Sequence, residues 1–215
     1  MKSLFLYLSI IALVSFVTIL GCGLSDNPFC GFLSDNSVYF GSASIHLGLF
    51  SLAMFFLWKD DFRSTLESVG FPGSLKWAVV NSAAILVSIF VALFILGYVS
   101  LLLGFNDQEK IAEKVGGLPF PILIFAALVA PISEELFFRG LLTPRIGVVF
   151  SSLAFGLSHL AYGSTVEVAG TVVVGIILGF AFRMSKSVTP CILAHMAYNS
   201  LAVLFYTFVL NNNPG

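Results

Sequence analysis

From Trp77 to Leu103 the chain carries no Asp, Glu, Lys or Arg. A membrane-spanning helix needs about 20 mostly apolar residues, so this one run commits the chain to a bilayer. Six further runs read the same way: 4–20, 38–58, 119–142, 146–162, 165–183 and 188–210. The predicted fold is all-α, a polytopic transmembrane bundle of about seven spans. Hydrophobic residues make up 58% of the chain and charged residues 10%, against roughly 25% charged in a soluble domain. No stretch is polar enough for a separate soluble unit, so residues 1–215 are expected to form one integral membrane domain.

The rest of the composition narrows the partners. A net charge of -1 excludes a nucleic-acid ligand as the expectation. Three cysteines are too few for a disulfide framework and show no zinc spacing; Cys22 and Cys30 are read as free thiols in preference to a bridge. The N-terminal run after Lys2 is read as a retained first helix. Leu20 is bulky for the lipoprotein-type cleavage that "ILGC" suggests. "DQEKIAEKV", Asp107 to Val115, is a short polar surface helix. "STVE", Ser164 to Glu167, has the form of a capping box that starts the sixth span.

Orientation follows from the basic residues. With the N-terminus inside, eight of the ten Lys and Arg fall on the inner side: Lys2, Lys59, Arg63, Lys76, Arg139, Arg145, Arg183 and Lys186. Only Lys110 and Lys114 lie outside. Glu167 falls among the acidic residues of the outer loops. "GIILG", Gly175 to Gly179, is a close-packing signal for the sixth span, within the monomer or between copies.

Ionisable groups inside apolar spans are costly and normally face the protein interior. "SEELFFRG" places Glu134, Glu135 and Arg139 at the end of the fourth span. Glu135 and Arg139 are four apart and share a helix face, so they are expected to pair. Glu134 points about 100° away. The plainer reading is an ion cluster that merely ends a helix. "FGLSHL" places Phe155 and His159 on one face of the fifth span, and "HMAYN" does the same for His195 and Asn199 in the seventh. Each alone reads equally well as packing, and His46 is assigned to packing.

Together these residues suffice for hydrolysis by water. A carboxylate and a histidine facing a buried water make a general-base pair. A second histidine and the Asn199 amide can hold an oxyanion. Measured from the inner ends, Glu134 and His195 lie at similar depth, about 11 Å, and His159 about 9 Å deeper; tilt or a later start of the fifth helix must absorb the difference. There is no HExxH, no GxSG and no aspartate inside any span.

"EELFFR", "FGLSH" and "HMAYN", in this order, resemble the three signature motifs of the CPBP family, the CAAX proteases and bacteriocin-processing enzymes also called Abi proteins. The resemblance covers about residues 119–205. It implies a glutamate-dependent intramembrane endopeptidase related to the Ras-converting CAAX prenyl endopeptidase. It implies that Glu134 with His159 activates water and that His195 and Asn199 form the oxyanion site. Glu135 and Arg139 would support the site. Zinc at Glu134, His159 and His195 is the less favoured alternative to a cofactor-free site. The chain departs from the pattern in that only "TPRIG" joins the fourth and fifth spans.

The resemblance leaves the substrate open: a membrane-associated peptide or protein, prenylated or a leader peptide. The competing functions are a non-catalytic scaffold or self-immunity protein and a small proton-coupled transporter. The expected location is the plasma membrane of a prokaryote, and the sequence is silent on oligomeric state.

Overall fold

A computed structural model describes residues 1–22, 35–105, 107 and 109–212. Every regular element among them is helical. The helices are α1 (Lys2–Cys22), α2 (Ser37–Leu57), α3 (Phe62–Glu67), α4 (Leu75–Leu102) and α5 (Glu109–Gly116). A broken helix follows: α6 (Phe120–Ile124), a wide π segment (Phe125–Val129), α7 (Ala130–Glu135), a second π segment (Leu136–Leu142) and α8 (Thr143–Leu157). A short 3₁₀ turn (Leu160–Tyr162) leads to α9 (Thr165–Ser185) and α10 (Thr189–Asn212). The all-α membrane architecture stands.

Five stretches are long and apolar enough to cross a bilayer: Lys2–Leu20, Ser37–Leu57, Leu75–Leu102, Phe120–Tyr162 and Thr165–Ser185. The chain is an integral membrane protein. The fourth stretch merges the expected spans 119–142 and 146–162, which meet at Gly147 with φ 83° and ψ 168°. That positive φ is open to glycine and strained for other residues, so the fourth run breaks there. The expected seven rest on dividing Phe120–Tyr162 at this break and on counting α10; five are supported by length and composition. Large apolar side chains on α4 face outward, with Phe94 78% exposed. Lipid tails are as apolar as these side chains, so their exposure to the bilayer carries no hydrophobic penalty.

The described residues fall into two compact units, Met1–Thr65 and Leu66–Gly215. In the first, α1 packs on α2. The Phe5 ring lies 5.3 Å from Trp58 and 6.4 Å from Phe50, centroid to centroid. Cys30 lies outside the described residues, so its expected free thiol has no structural counterpart.

In the second unit α9 lies against α8. A Cβ added at Gly175 would stand 2.9 Å from Ser152 Cβ, and one at Gly179 would stand 2.8 Å from Val148. The GxxxG of α9 is therefore filled within the monomer. A second tie fixes the start of α10. Ser187 Oγ donates to the Gly70 carbonyl at 2.6 Å, and Thr189 Oγ1 donates to the Pro72 carbonyl at 2.7 Å. The Val188 N–H donates to the Val69 carbonyl at 3.0 Å. Pinning 187–189 fixes where α10 begins, and hence the level of His195 two turns along.

Candidate active site

The broken helix owes its two wide turns to proline. Pro131 has no N–H, and the N–H of Ala130 reaches back five residues to Phe125. The Ala126 carbonyl is thereby left without a backbone donor. The side-chain amide of Asn199 supplies one at 2.9 Å. The same happens before Pro144: the Thr143 N–H reaches Phe138, whose carbonyl also accepts from Thr143 Oγ1 and Ser151 Oγ, each at 2.9 Å. Wide turns of this kind are frequent at functional sites. Here they flank α7, which carries both glutamates.

Glu135 and Arg139 pair as expected, Nη1 to Oε1 at 2.8 Å, with side chains 0% and 1% exposed. The same Oε1 is 2.8 Å from Nδ1 of His195. A carboxylate accepts, so Nδ1 carries the proton in this bond. On the other edge of the ring, Nε2 is 3.7 Å from Oε2 of Glu134. The four groups form one buried run: Arg139, Glu135, His195, Glu134. With the ring protonated at both nitrogens their formal charges sum to zero. Glu134 is 13% exposed, so of the two carboxylates it is the one within reach of water.

His159 joins through an aromatic ring. The Phe155 ring stands 5.8 Å from His195 and 4.9 Å from His159, edge-on to both, and 5.0 Å from Phe138. Nδ1 of His159 is 2.9 Å from the Phe155 carbonyl, which can only accept, so in this bond Nδ1 donates and a neutral ring leaves Nε2 as an acceptor. His159 follows the end of α8 and enters the 3₁₀ turn; it stands one helical turn beyond the ring that meets His195. The Phe155 ring links the two imidazoles. Ser158 gives its hydroxyl to the Phe155 carbonyl at 2.7 Å.

A cavity of about 110 Å³ is lined by His159, Tyr162, Glu167, His195, Tyr198 and Asn199, among apolar side chains. Glu134 is not part of its lining and meets the cavity's residues through His195. Ile111 and Val115 of α5 and Leu118 close one side. That side is tied down: Lys114 Nζ donates to the Ala161 carbonyl at 2.8 Å, and Lys110 Nζ to the Gly163 carbonyl at 3.2 Å. Among the described residues no three His, Cys, Asp or Glu side chains are placed to hold a metal.

The start of α9 corrects the reading of "STVE". Ser164 Oγ accepts from the Glu167 N–H at 3.1 Å, as a capping box requires. The return bond is absent. Asp107 takes its place, accepting from Ser164 Oγ at 2.7 Å and from the N–H groups of Thr165 and Val166 at 2.6 and 3.3 Å. These bonds, that from Ser164 foremost, hold the Asp107 carboxyl below its ordinary value. The Glu167 side chain turns into the cavity and is not a loop acid. One signal in the sequence marks it: Glu167 is the only acidic residue after Glu135.

Residues 116–201 match the family model described as "Type II CAAX prenyl endopeptidase Rce1-like". An "Uncharacterized protein" of Mycoplasma capricolum is 30% identical over 88 residues, which are 38% of this chain and 26% of that protein. An "Uncharacterized 24.3 kDa protein" of Escherichia coli is 29% identical over 153 residues, 65% of this chain and 66% of that one. The chain thus matches about a quarter of the length of one curated relative and just under two thirds of the other. No solved structure matches the chain. The matched segment contains all six motif residues, Glu134, Glu135, Arg139, His159, His195 and Asn199, and it is in this segment that the chain is similar to the CAAX-type proteases.

Proposed function

We propose that this protein is an intramembrane endopeptidase that hydrolyses a peptide bond of a membrane-associated protein or peptide by attack of water. The observation that carries the reading is the buried run from Arg139 through Glu135 and His195 to Glu134. A purely structural ion pair is complete at Glu135 and Arg139. It has no need of a second carboxylate held 3.7 Å from the histidine.

In this reading Glu134, with His159, takes the proton of the attacking water. Hydrogen bonds of a substrate-free site are commonly long and tighten with substrate. His195, protonated and held by Glu135, offers its Nε2–H to the oxyanion as it forms. Asn199 commits one amide N–H to Ala126 and has a second for the oxyanion. The side chains alone activate the water, with no metal. Glu135 and Arg139 orient His195 without touching the reacting atoms. The protein sits in the plasma membrane of a prokaryote with its N-terminus inside, by the eight-to-two bias of its basic residues.

The test is cleavage by the purified protein of a quenched peptide panel, with and without a prenyl group, beside Glu134→Gln. Wild-type cleavage and a loss of at least about a hundredfold in the variant are expected, as for removal of a principal general base. A wild type that cuts nothing on the panel, or a variant that cuts at the wild-type rate, would overturn the reading in favour of a scaffold or immunity role.

A further inference from the structure

Glu167 has no task in the machinery described so far. Its place in the first turn of α9 suggests a capping carboxylate, yet the cap is complete without it. Ser164 takes the N–H of Glu167, and Asp107 takes those of Thr165 and Val166. The nearby hydroxyl of Thr171 is given to the backbone carbonyls of Glu167 and Val168, at 2.9 and 3.0 Å. Among the described residues the Glu167 carboxylate makes no hydrogen bond and no ion pair.

That carboxylate lines two cavities at once. The first is the one shared with His159, His195 and Asn199. The second, about 140 Å³, is lined by Glu167, Thr171, Tyr198 and Tyr206 among apolar residues of α4, α5 and α9. Tyr162, its ring stacked on His159 at 5.9 Å, completes an aromatic wall. Neither cavity has a lysine or arginine in its lining. A half-buried carboxylate set among tyrosines is complementary to a cation, since tyrosine faces attract cations. No metal-holding set of three side chains is present among the described residues, and the neighbour that would favour the carboxylate's charge is His159; with that ring neutral, an organic cation suits the carboxylate and the tyrosine faces together.

We propose that Glu167 with Tyr162, Tyr198 and Tyr206 forms a subsite for a positively charged group of the substrate, an alkylammonium or a guanidinium. The inference rests on the peptidase reading, since the subsite adjoins the histidines that would face the scissile bond. The substrate class is then a peptide with a lysine, an arginine or a free amino terminus within a few residues of the cut.

The experiment uses the full chain in detergent and fluorescein-labelled hexapeptides in which one lysine is moved stepwise along an apolar sequence, with norleucine controls. Binding is read by fluorescence polarisation and cleavage by mass spectrometry on the same mixtures. One lysine position should bind about tenfold more tightly than its norleucine control, a preference of the size a desolvated cation–π and carboxylate contact gives. Glu167→Gln, which keeps the shape, should abolish the preference, Glu167→Asp should retain part of it, and Glu167→Lys should turn it toward a glutamate-bearing peptide. No lysine preference at any position, or a preference unchanged in Glu167→Gln, overturns the subsite. Lysine-selective binding without cleavage leaves the subsite standing and removes the peptidase reading. Cleavage without lysine preference does the reverse.

Discussion

The guanidinium carbon of Arg139 lies 4.4 Å from the centroid of the Phe155 ring. This contact ties the glutamate segment to the histidine segment that follows it. Phe155 is 1% exposed, and its edges meet His159 and His195. One aromatic ring thus holds the cation on its face and both imidazoles around it. Such a contact contributes about 2 kcal/mol when desolvated.

Arg139→Ala should be a stability variant before it is an activity variant. It leaves Glu135 buried without its cation, and breaking such a pair costs about 3–5 kcal/mol. Thermal melting in detergent should show a strong downward shift, with reduced yield. A normal melt with selective loss of activity would mean that Arg139 contacts substrate instead.

Asn199→Ala separates two tasks of one amide. Loss of the bond to the Ala126 carbonyl leaves a part-buried acceptor unpaired, at about 1 kcal/mol. Loss of an oxyanion donor costs about 10²–10³ in rate. Melting and cleavage measured on the same preparation should show a modest shift beside a large rate loss. A rate that falls only as far as the folded fraction would assign Asn199 to the helix break alone.

Gly175→Leu should prevent α9 from docking on α8. Even a single added carbon meets Ser152 within 2.9 Å, and overpacking typically costs about 1–3 kcal/mol or more. The substitution should lower the melting temperature while leaving the oligomeric state in size-exclusion unchanged. A change of oligomeric state without loss of stability would return the motif to an interface between copies.

Asp107 gives the cap of α9 a pH dependence of known sign. Its folded-state carboxyl titrates below the ordinary 3.8. The stabilisation is therefore present above that value and is lost as pH falls through the lowered one. Hydrogen exchange at the Thr165 and Val166 amides should accelerate only on that acid side, and Asp107→Asn should remove the dependence. Exchange that does not change across this range would mean that the cap does not hold these amides.

Much of the site was legible because ionisable residues stand out against apolar spans. The i, i+4 spacing of Glu135 and Arg139 gave their pair directly, and the rarity of histidine pointed to His159 and His195. What the pattern did not carry was which partner each ring nitrogen chooses. His195 and Glu135 are sixty residues apart, and only the docking of α10 on the broken helix joins them. The wide turns were hidden for a related reason. Pro131 and Pro144 were visible, but hydropathy is blind to whether a missing N–H kinks a helix or widens it. Glu167 was misplaced because a Ser-x-x-Glu pattern has a ready local meaning, which Asp107, distant in sequence, displaced.

The wide turn at Phe125–Val129 makes the site a matter of residue counting. Each residue in a helix advances the face by about 100°, and the π segment holds one residue more than an α turn in the same place. Removing a single residue there would not restore an ordinary α-helix, because Pro131 would still lack its N–H. It would swing everything beyond by about 100° and carry Glu134 and Glu135 off the face that meets His195. The segment is thus a place where a one-residue deletion destroys the site without removing a single catalytic side chain, so that gaps in a family alignment should avoid it.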